Sequence, residues 1–375
     1  MIKMKKIRFL SIAILTSLMV CVLISCDKDD TPVVDTDNPF RVLLASMDWG
    51  RDTCYVYGHK IPDTDAVCSS LAYAKLMRTL GYNCVAKISS SPNKETKYIC
   101  DYLEIDMPVL KSSVTQGTRL IATDHEEYIQ SVDGARDARI LQIIDHHQEG
   151  DMATSQVPFV YRELVGSTCT LVWQLYQEAD VPVDEATARI LFAGLVSDTS
   201  NLARSNTTKE DSLAWYALTS QLHVEADSVA IIYRNMQDEL SDYDGMSDYD
   251  IFVSDYKDYD MGGVPVGIGC VEWTDYASMD EIIDRLLAVM PQVMEDKNRK
   301  MVFCMATRYA PNPDTESEEK VIPLGTYIMY YGDGAREVAE EAIGPSLREG
   351  VCYSETRLSR RSTVVPLFTE ILSRQ

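Results

Sequence analysis

Three stretches of this chain share one arrangement, in which a short apolar run breaks directly into aspartate and histidine. They are CYVYGHKIPDTD (Cys54 to Asp65), TRLIATDHEE (Thr118 to Glu127) and RILQIIDHHQEG (Arg139 to Gly150). Around them lie another strand-like run, NCVAKI, and longer amphipathic segments: Ala66 to Leu80, Lys94 to Leu103, Thr168 to Glu178 and Glu185 to Val196. Short apolar runs alternating with helical periods predict an α/β fold on a parallel sheet. Open sheets of that kind bind ligands at the carboxyl ends of their strands. That is where each run delivers its acid and imidazole groups.

Four of the five histidines, His59, His125, His146 and His147, fall in these motifs. Neighbours on a strand face opposite ways, so core packing does not explain the adjacent pair His146 and His147. Taken alone, Asp63 and Asp65 read equally well as caps of the helix that follows. Repetition of the pattern at Asp124, with Glu126 and Glu127 behind it, and again at Asp145 turns the reading toward metal. Asp198, in GLVSDTSNL, follows an apolar helix and is a further candidate ligand, with a polar helix end as the plain alternative. His223 has no carboxylate neighbours and reads as structural.

Imidazole and carboxylate without thiolate suit Mn2+, Co2+, Fe2+ or Mg2+ better than structural Zn2+. The number of candidate ligands implies two ions. Two ions about 3.5 to 4 Å apart lower the pKa of a bridging water from 15.7 toward about 7, which supplies hydroxide for in-line attack on phosphorus. Phosphoryl transfer also needs cations around the oxygens that are not attacked. With 35 Lys and Arg against 58 Asp and Glu, a net charge of -23, the basic run RLSRRS (Arg357 to Ser362) stands out. Its plain alternative is a solvated surface stretch. The same charge balance argues against general nucleic-acid binding, because phosphate backbones are held by Lys and Arg.

Residues 1–25 are basic at the start (Lys3, Lys5, Lys6, Arg8) and then apolar, and LISC precedes Cys26. This reads as a bacterial lipoprotein signal peptide, with Cys26 lipidated after cleavage and an uncleaved anchor as the alternative. Either way the folded part faces outward, lipid-anchored on the periplasmic face or at the cell surface. Residues 26–39 are acidic and proline-bearing and form a lipidated tether, with folding expected from Phe40. The remaining cysteines show no C-x-x-C spacing. They read as buried small hydrophobes rather than as disulfides, although an oxidising compartment permits the latter. Glu239 to Asp250, ELSDYDGMSDYD, reads as a linker between a first domain (40–238) and a smaller α+β domain (251–375). The second domain is expected to hold the strands VPVGIGCVEW, KMVFCMATRY and GTYIMYYG, helices Met279 to Val289 and Ala335 to Ile343, and an exposed hairpin loop at Pro311 to Lys320.

With these motifs in view, the chain resembles the DHH phosphoesterases, and within them the manganese-dependent family II inorganic pyrophosphatases. GHKIPDTD is similar to that family's GHKNPDTD, TDHEE to its DHNE, and IIDHH to the motif that names the superfamily. VGSTCT and VSDT match two further blocks. DYKDYDMGGVPVGIGCVEW resembles the opening of the C-terminal DHHA2 domain, and LSRRSTVVPLFTEIL its SRKKQVVP end. The resemblance implies hydrolysis of pyrophosphate to two phosphates by a metal-activated hydroxide, in a cleft between two domains, with two Mn2+ ions and Co2+ or Mg2+ as substitutes. His59 and Asp63 would hold one ion, Asp65, His146 and Asp198 the other, and Asp124 would bridge. His147, Lys257, Arg360 and Arg361 would face the substrate, and a homodimer is possible. Departures fall at Ile61 and Glu126, both Asn in the family, and at Arg361, Ser362 and Thr363 in place of Lys-Lys-Gln. They leave exopolyphosphatase, or another phosphoanhydride or phosphodiester hydrolase, as the neighbouring reading. A non-catalytic lipoprotein that binds metal or phosphate is the reading from a different class.

Overall fold

β-Branched and other apolar runs bounded by Gly, Pro and Asp form the strands, and the amphipathic segments between them form helices. The computed structural model describes residues 37–204, 206–273, 275–311 and 321–374. The signal segment 1–25, Cys26, the tether up to residue 36 and the loop 312–320 lie outside the described residues. In chain order the N-terminal part comprises α1 (Pro39–Ser46), β1 (Cys54–Tyr57), α2 (Thr64–Thr79), β2 (Cys84–Ile88), α3 (Lys94–Tyr102), β3 (Val109–Leu110), β4 (Arg119–Thr123), β5 (Arg139–Asp145), β6 (Phe159–Arg162), α4 (Thr168–Glu178), α5 (Glu185–Asp198), α6 (Lys209–Leu222) and α7 (Ala226–Leu240). The C-terminal part comprises α8 (Asp248–Val253), β7 (Tyr256–Met261), β8 (Val264–Val271), α9 (Met279–Asp296), β9 (Met301–Pro311), β10 (Val321–Gly332), α10 (Ala335–Ile343), β11 (Val351–Ser354) and α11 (Val365–Leu372).

The expected parallel sheet is present. All pairs among the first six strands are parallel, in the order β3-β2-β1-β4-β5-β6. The order reverses between β1 and β4, and a doubly wound sheet opens its ligand crevice at such a point. Tyr57 pairs with Ala122 and Thr123 with Ile144, so the residues just past each strand end lie beside one another. Every residue of β5 except Arg139 is buried, as expected of a strand covered on both faces. The C-terminal sheet runs β11-β10-β9-β8-β7, with β8 and β9 parallel and the other pairs antiparallel.

Several elements differ from the sequence expectation. Helix α9 continues through Pro291 to Asp296 instead of stopping at Val289. A proline inside a helix removes one hydrogen bond and crowds the preceding turn. Met290 and Val293, both fully buried in the second core, offset that cost, since burying such a side chain is worth about 1.5–3 kcal/mol. Packing begins before Phe40: Asn38 caps α1 and donates to Glu178 O and Asp180 Oδ2 at 2.8 and 3.0 Å. The segment read as a linker is largely built in, because α7 ends at Leu240, α8 starts at Asp248, and Tyr243 between them stacks on Trp273 inside the second core. β9 and β10 pair up to Pro311 and Val321, as a hairpin requires. The eight described cysteines are free thiols, seven of them buried. Among the described residues no helix is long and apolar enough to cross a membrane.

Candidate metal centre

Where β1, β4 and β5 end, the chain leaves the sheet through three loops that converge. Gly58 lies so close to the first turn of α2 that a Cβ there would meet Ala66 O at 2.4 Å. This approach places His59 opposite Asp63, with Nε2 to Oδ2 at 3.0 Å. Asp63 also caps α2 by accepting from Ala66 N, so the capping reading of this motif holds, and the same carboxylate lies where it could also hold a metal ion. Asp124 closes β4 with a left-handed φ of 63°, a conformation that non-glycine residues adopt at a cost. Its carboxylate lies 3.5 Å from His59 Nε2 and 3.2 Å from His146 Nε2. Asp198, the last residue of α5, reaches His146 Nε2 at 3.1 Å, and Asp65 lies 4.0 Å from the same nitrogen.

Three sets of ligand atoms therefore lie within 4.8 Å of one another: His59, Asp63 and Asp124; Asp65, His146 and Asp198; and Asp124, His146 and His147. All six residues expected as ligands are brought together, with Asp124 and His146 each shared between two sets. The chemistry fits divalent cations. The donors are imidazoles and carboxylates, and His59 Nδ1 is buried without a hydrogen-bond partner. His146 Nδ1 faces Val165 O at 3.0 Å; with the proton there, Nε2 keeps its lone pair for the carboxylate side. Burial and the Arg361 charge oppose protonation of His146, but Asp124 and Asp198 outweigh them and bring its pKa to about 10. Burial, then the charges of Asp124 and Asp198, raise Asp65 to about 8. A bound cation would relieve both, since carboxylates crowded together out of water resist ionising together.

Residues to which the sequence reading gave no role of their own surround these side chains. The start of α4 grips Asp65: Ser167 Oγ and Cys169 N donate to Oδ1 at 2.7 and 3.1 Å, and Thr168 N donates to Oδ2 at 2.6 Å. Thr168 Oγ1 donates to Asp124 Oδ1 at 3.0 Å. A Ser-Thr pair opening a helix was the available signal, but it reads as an ordinary cap. Arg204 pairs with Asp198 at 2.7 Å. Glu95, buried at the start of α3, accepts from Ser197 Oγ at 2.9 Å, from Gln237 Nε2 and from Thr64 Oγ1. Glu126 is fully buried against Arg162 at 2.8 Å.

The C-terminal part supplies the opposite wall of a cleft of about 1470 Å3. Lys257 Nζ lies 3.2 Å from His59 Nε2 and 3.9 Å from Asp63. Arg361, on a π-helical turn Arg360–Val364, donates to His146 O and lies 3.0 Å from its Nε2. Arg360 turns away from the ligands toward Asp255, with Nη2 to Oδ1 at 2.6 Å, and donates also to the carbonyls of Asp255 and Ile268. It braces the turn that aims Arg361. His147 Nδ1 lies 2.7 Å from the buried Asp145; burial, then the Arg361 charge, holds its pKa well below the ordinary value and keeps it neutral. Ile61 packs against the core of the C-terminal part. His223 ends α6 in a left-handed conformation, away from the centre.

Residues 53–195 match the DHH family N-terminal domain, and residues 234–371 match the DHHA2 domain. Over 317 residues the chain is 31% identical to the manganese-dependent inorganic pyrophosphatase of Methanothrix thermoacetophila, covering 84% of this chain and 97% of that one. The chain belongs to the manganese-dependent inorganic pyrophosphatase family. Its Bacillus subtilis member is 26% identical over 320 residues, which span 85% of this chain and 98% of the relative. The crystal structure of a Methanococcus jannaschii protein assigned to the family II inorganic pyrophosphatases superposes with a TM-score of 0.73 at 23% identity, covering 86% of this chain and all of that one. This likeness supports the fold. Family membership and the shared ligand atoms support a metal-dependent hydrolase.

Proposed function

We propose that this chain hydrolyses inorganic pyrophosphate to two phosphates at a centre of two divalent ions, Mn2+ foremost. The observation that carries the reading is the pair of ligand sets joined at Asp124 and His146, faced directly by Lys257 and Arg361 from the other wall. Ions bound there would make a coordinated water acidic near neutral pH and draw charge off phosphoryl oxygens. The chain's own residues do the rest. His59 with Asp63 and Asp65 with Asp198 set the ligand positions, and the start of α4 fixes the carboxylates of Asp65 and Asp124. Lys257 and Arg361 neutralise the phosphate oxygens as the substrate seats, and Arg360, tied to Asp255, holds Arg361 in place. Neutral His147, oriented by Asp145, stands at the substrate side and can hydrogen-bond the substrate without adding charge.

The test uses purified protein with Mn2+ or Mg2+ and measures phosphate release from pyrophosphate, polyphosphate and nucleotides. Turnover of polyphosphate but not pyrophosphate would sink the reading in favour of exopolyphosphatase. Metal uptake with no turnover would leave a binding protein. We propose further that Cys26 is acylated and anchors the enzyme outside the cytoplasm; the LISC sequence supports this. Metabolic labelling with fatty acid should be lost in Cys26→Ser.

A further inference from the structure

Besides Lys257, Arg360 and Arg361 the cleft is lined by Arg136, Arg204 and Arg357; Arg136 pairs with Asp151, and the other two lie toward Asp198 and Glu272. Arg204 follows α5 on a turn in which Ser200, Asn201 and Leu202 take left-handed φ values of 51°, 51° and 68°. Each such residue costs on the order of 1 kcal/mol or more, so a run of three persists only where its surroundings hold it. Thr199 Oγ1 accepts from Leu202 N at 3.0 Å, and Asn201 Oδ1 accepts from Trp215 Nε1 at 3.0 Å. The turn doubles the chain back, so that Arg204 N reaches Thr199 O at 2.9 Å and the guanidinium meets Asp198 while remaining 51% exposed to the cleft.

Arg357, also 51% exposed, lines the same cleft from the C-terminal part. Both guanidiniums thus line the one cleft, from its two walls. Arg357 Nη2 meets Glu272 Oε1 at 3.2 Å, and Glu272 also accepts from Thr307 Oγ1 at 3.4 Å and Tyr309 OH at 2.5 Å. Three donors thus share that carboxylate, and Asp198 belongs to a set suited to a cation, so neither acid presents an unshielded charge to an incoming anion. Among the described residues, each arginine makes one hydrogen bond to its carboxylate, out of the five donors a guanidinium carries. Planar forks with spare donors, converging from two walls, match tetrahedral phosphate oxygens.

We propose that Arg204 and Arg357 form a second anion subsite, which takes the further phosphate of a linear phosphoanhydride longer than pyrophosphate while its terminal phosphate lies over the Asp124–His146 centre. This rests on the hydrolytic reading of that centre and names a wider substrate class for it. One water is consumed: its oxygen joins the terminal phosphorus, the P–O bond to the next phosphate breaks, and the protons pass to the products, phosphate and a chain one unit shorter.

Arg357→Gln is the discriminating variant, because Arg357 touches neither the ligand sets nor Lys257 and Arg361. In full-length protein with Mn2+, the ratio of kcat/KM for tripolyphosphate to that for pyrophosphate should fall about tenfold, through KM, as loss of a charge-assisted contact predicts. Arg357→Lys should lie between wild type and Arg357→Gln in tripolyphosphate KM; any other order overturns the subsite. An unchanged ratio also overturns it. So does pyrophosphate turnover with neither turnover of nor competition by tripolyphosphate, a result that leaves the pyrophosphatase reading standing. Tripolyphosphate turnover that depends on Arg357, without pyrophosphate turnover, supports the subsite and removes that reading. ATP as a third substrate identifies the source. An Arg357-dependent loss on ATP supports a nucleoside-borne chain, and a loss on tripolyphosphate alone supports an inorganic one.

Discussion

Glu95 offers a quantitative test of how the acidic floor of the cleft is built. Only 4% exposed, it accepts from Thr64 and Ser197, the chain neighbours of Asp63, Asp65 and Asp198. Burial, against the Ser197 hydrogen bond, moves its pKa from 4.5 up to about 7. Because the folded value is the higher one, the folded state binds more protons than the unfolded state between pH 4.5 and about 7. The carboxyl's contribution to stability is therefore fully present below pH 4.5 and lost as the pH rises through about 7. A displacement of that size corresponds to about 3 kcal/mol. Glu95→Gln keeps an acceptor for Ser197 Oγ and removes the titration. Urea unfolding in the presence of a chelator, at pH 5 and pH 8, isolates the term as the difference between variant and wild type. The variant should gain on wild type by up to about 3 kcal/mol between the two pH values. A variant-minus-wild-type difference that does not change with pH would refute the claim that a charged Glu95 is costly in the fold.

Other outcomes follow from the same geometry. Asp124→Ala removes the carboxylate shared by two ligand sets; calorimetric titration should show Mn2+ affinity reduced by more than about a hundredfold, beyond the range for loss of a supporting contact, with pyrophosphate turnover lost. Gly194→Ala would place a Cβ 2.4 Å from Cys169 Sγ and 2.8 Å from Asp65 Oδ1, so thermal unfolding should report about 1–3 kcal/mol of destabilisation and metal binding should weaken with it. Trp215→Phe deletes the hydrogen bond to Asn201 and should cost about 1 kcal/mol in chemical denaturation, with Arg204 less firmly held over the cleft.

The sequence was most readable where chemistry and periodicity coincide. Strands that end in Asp and His pointed to the residues that the fold brings together, because few structural demands put imidazole and carboxylate at successive strand ends. The supporting residues were hidden for the opposite reason. Glu95 occupies the first turn of a helix and Thr168 the start of another, positions where such residues are ordinary, and only the tertiary fold reveals that one is buried beneath the cleft and the other bonded to Asp124. Helix α7 escaped notice because its apolar residues are interleaved with polar and charged ones. Proline misled at α9, where propensity pointed to a stop and packing overrode it. Arg360 and Arg361 are adjacent and chemically alike, and only the π-helical turn separates the one that reaches His146 from the one that braces it.

Ile61 carries a kinetic consequence. It belongs to the loop that presents His59 and Asp63, yet its side chain is seated in the other half of the molecule. Parting the walls to discharge phosphate would return that side chain to water, and partial burial of an isoleucine is worth about 1 kcal/mol. In the hydrolytic reading proposed above, this one contact would shift any balance between parted and shut walls about fivefold toward the shut arrangement, and product escape, rather than bond cleavage, would be the step on which this residue acts.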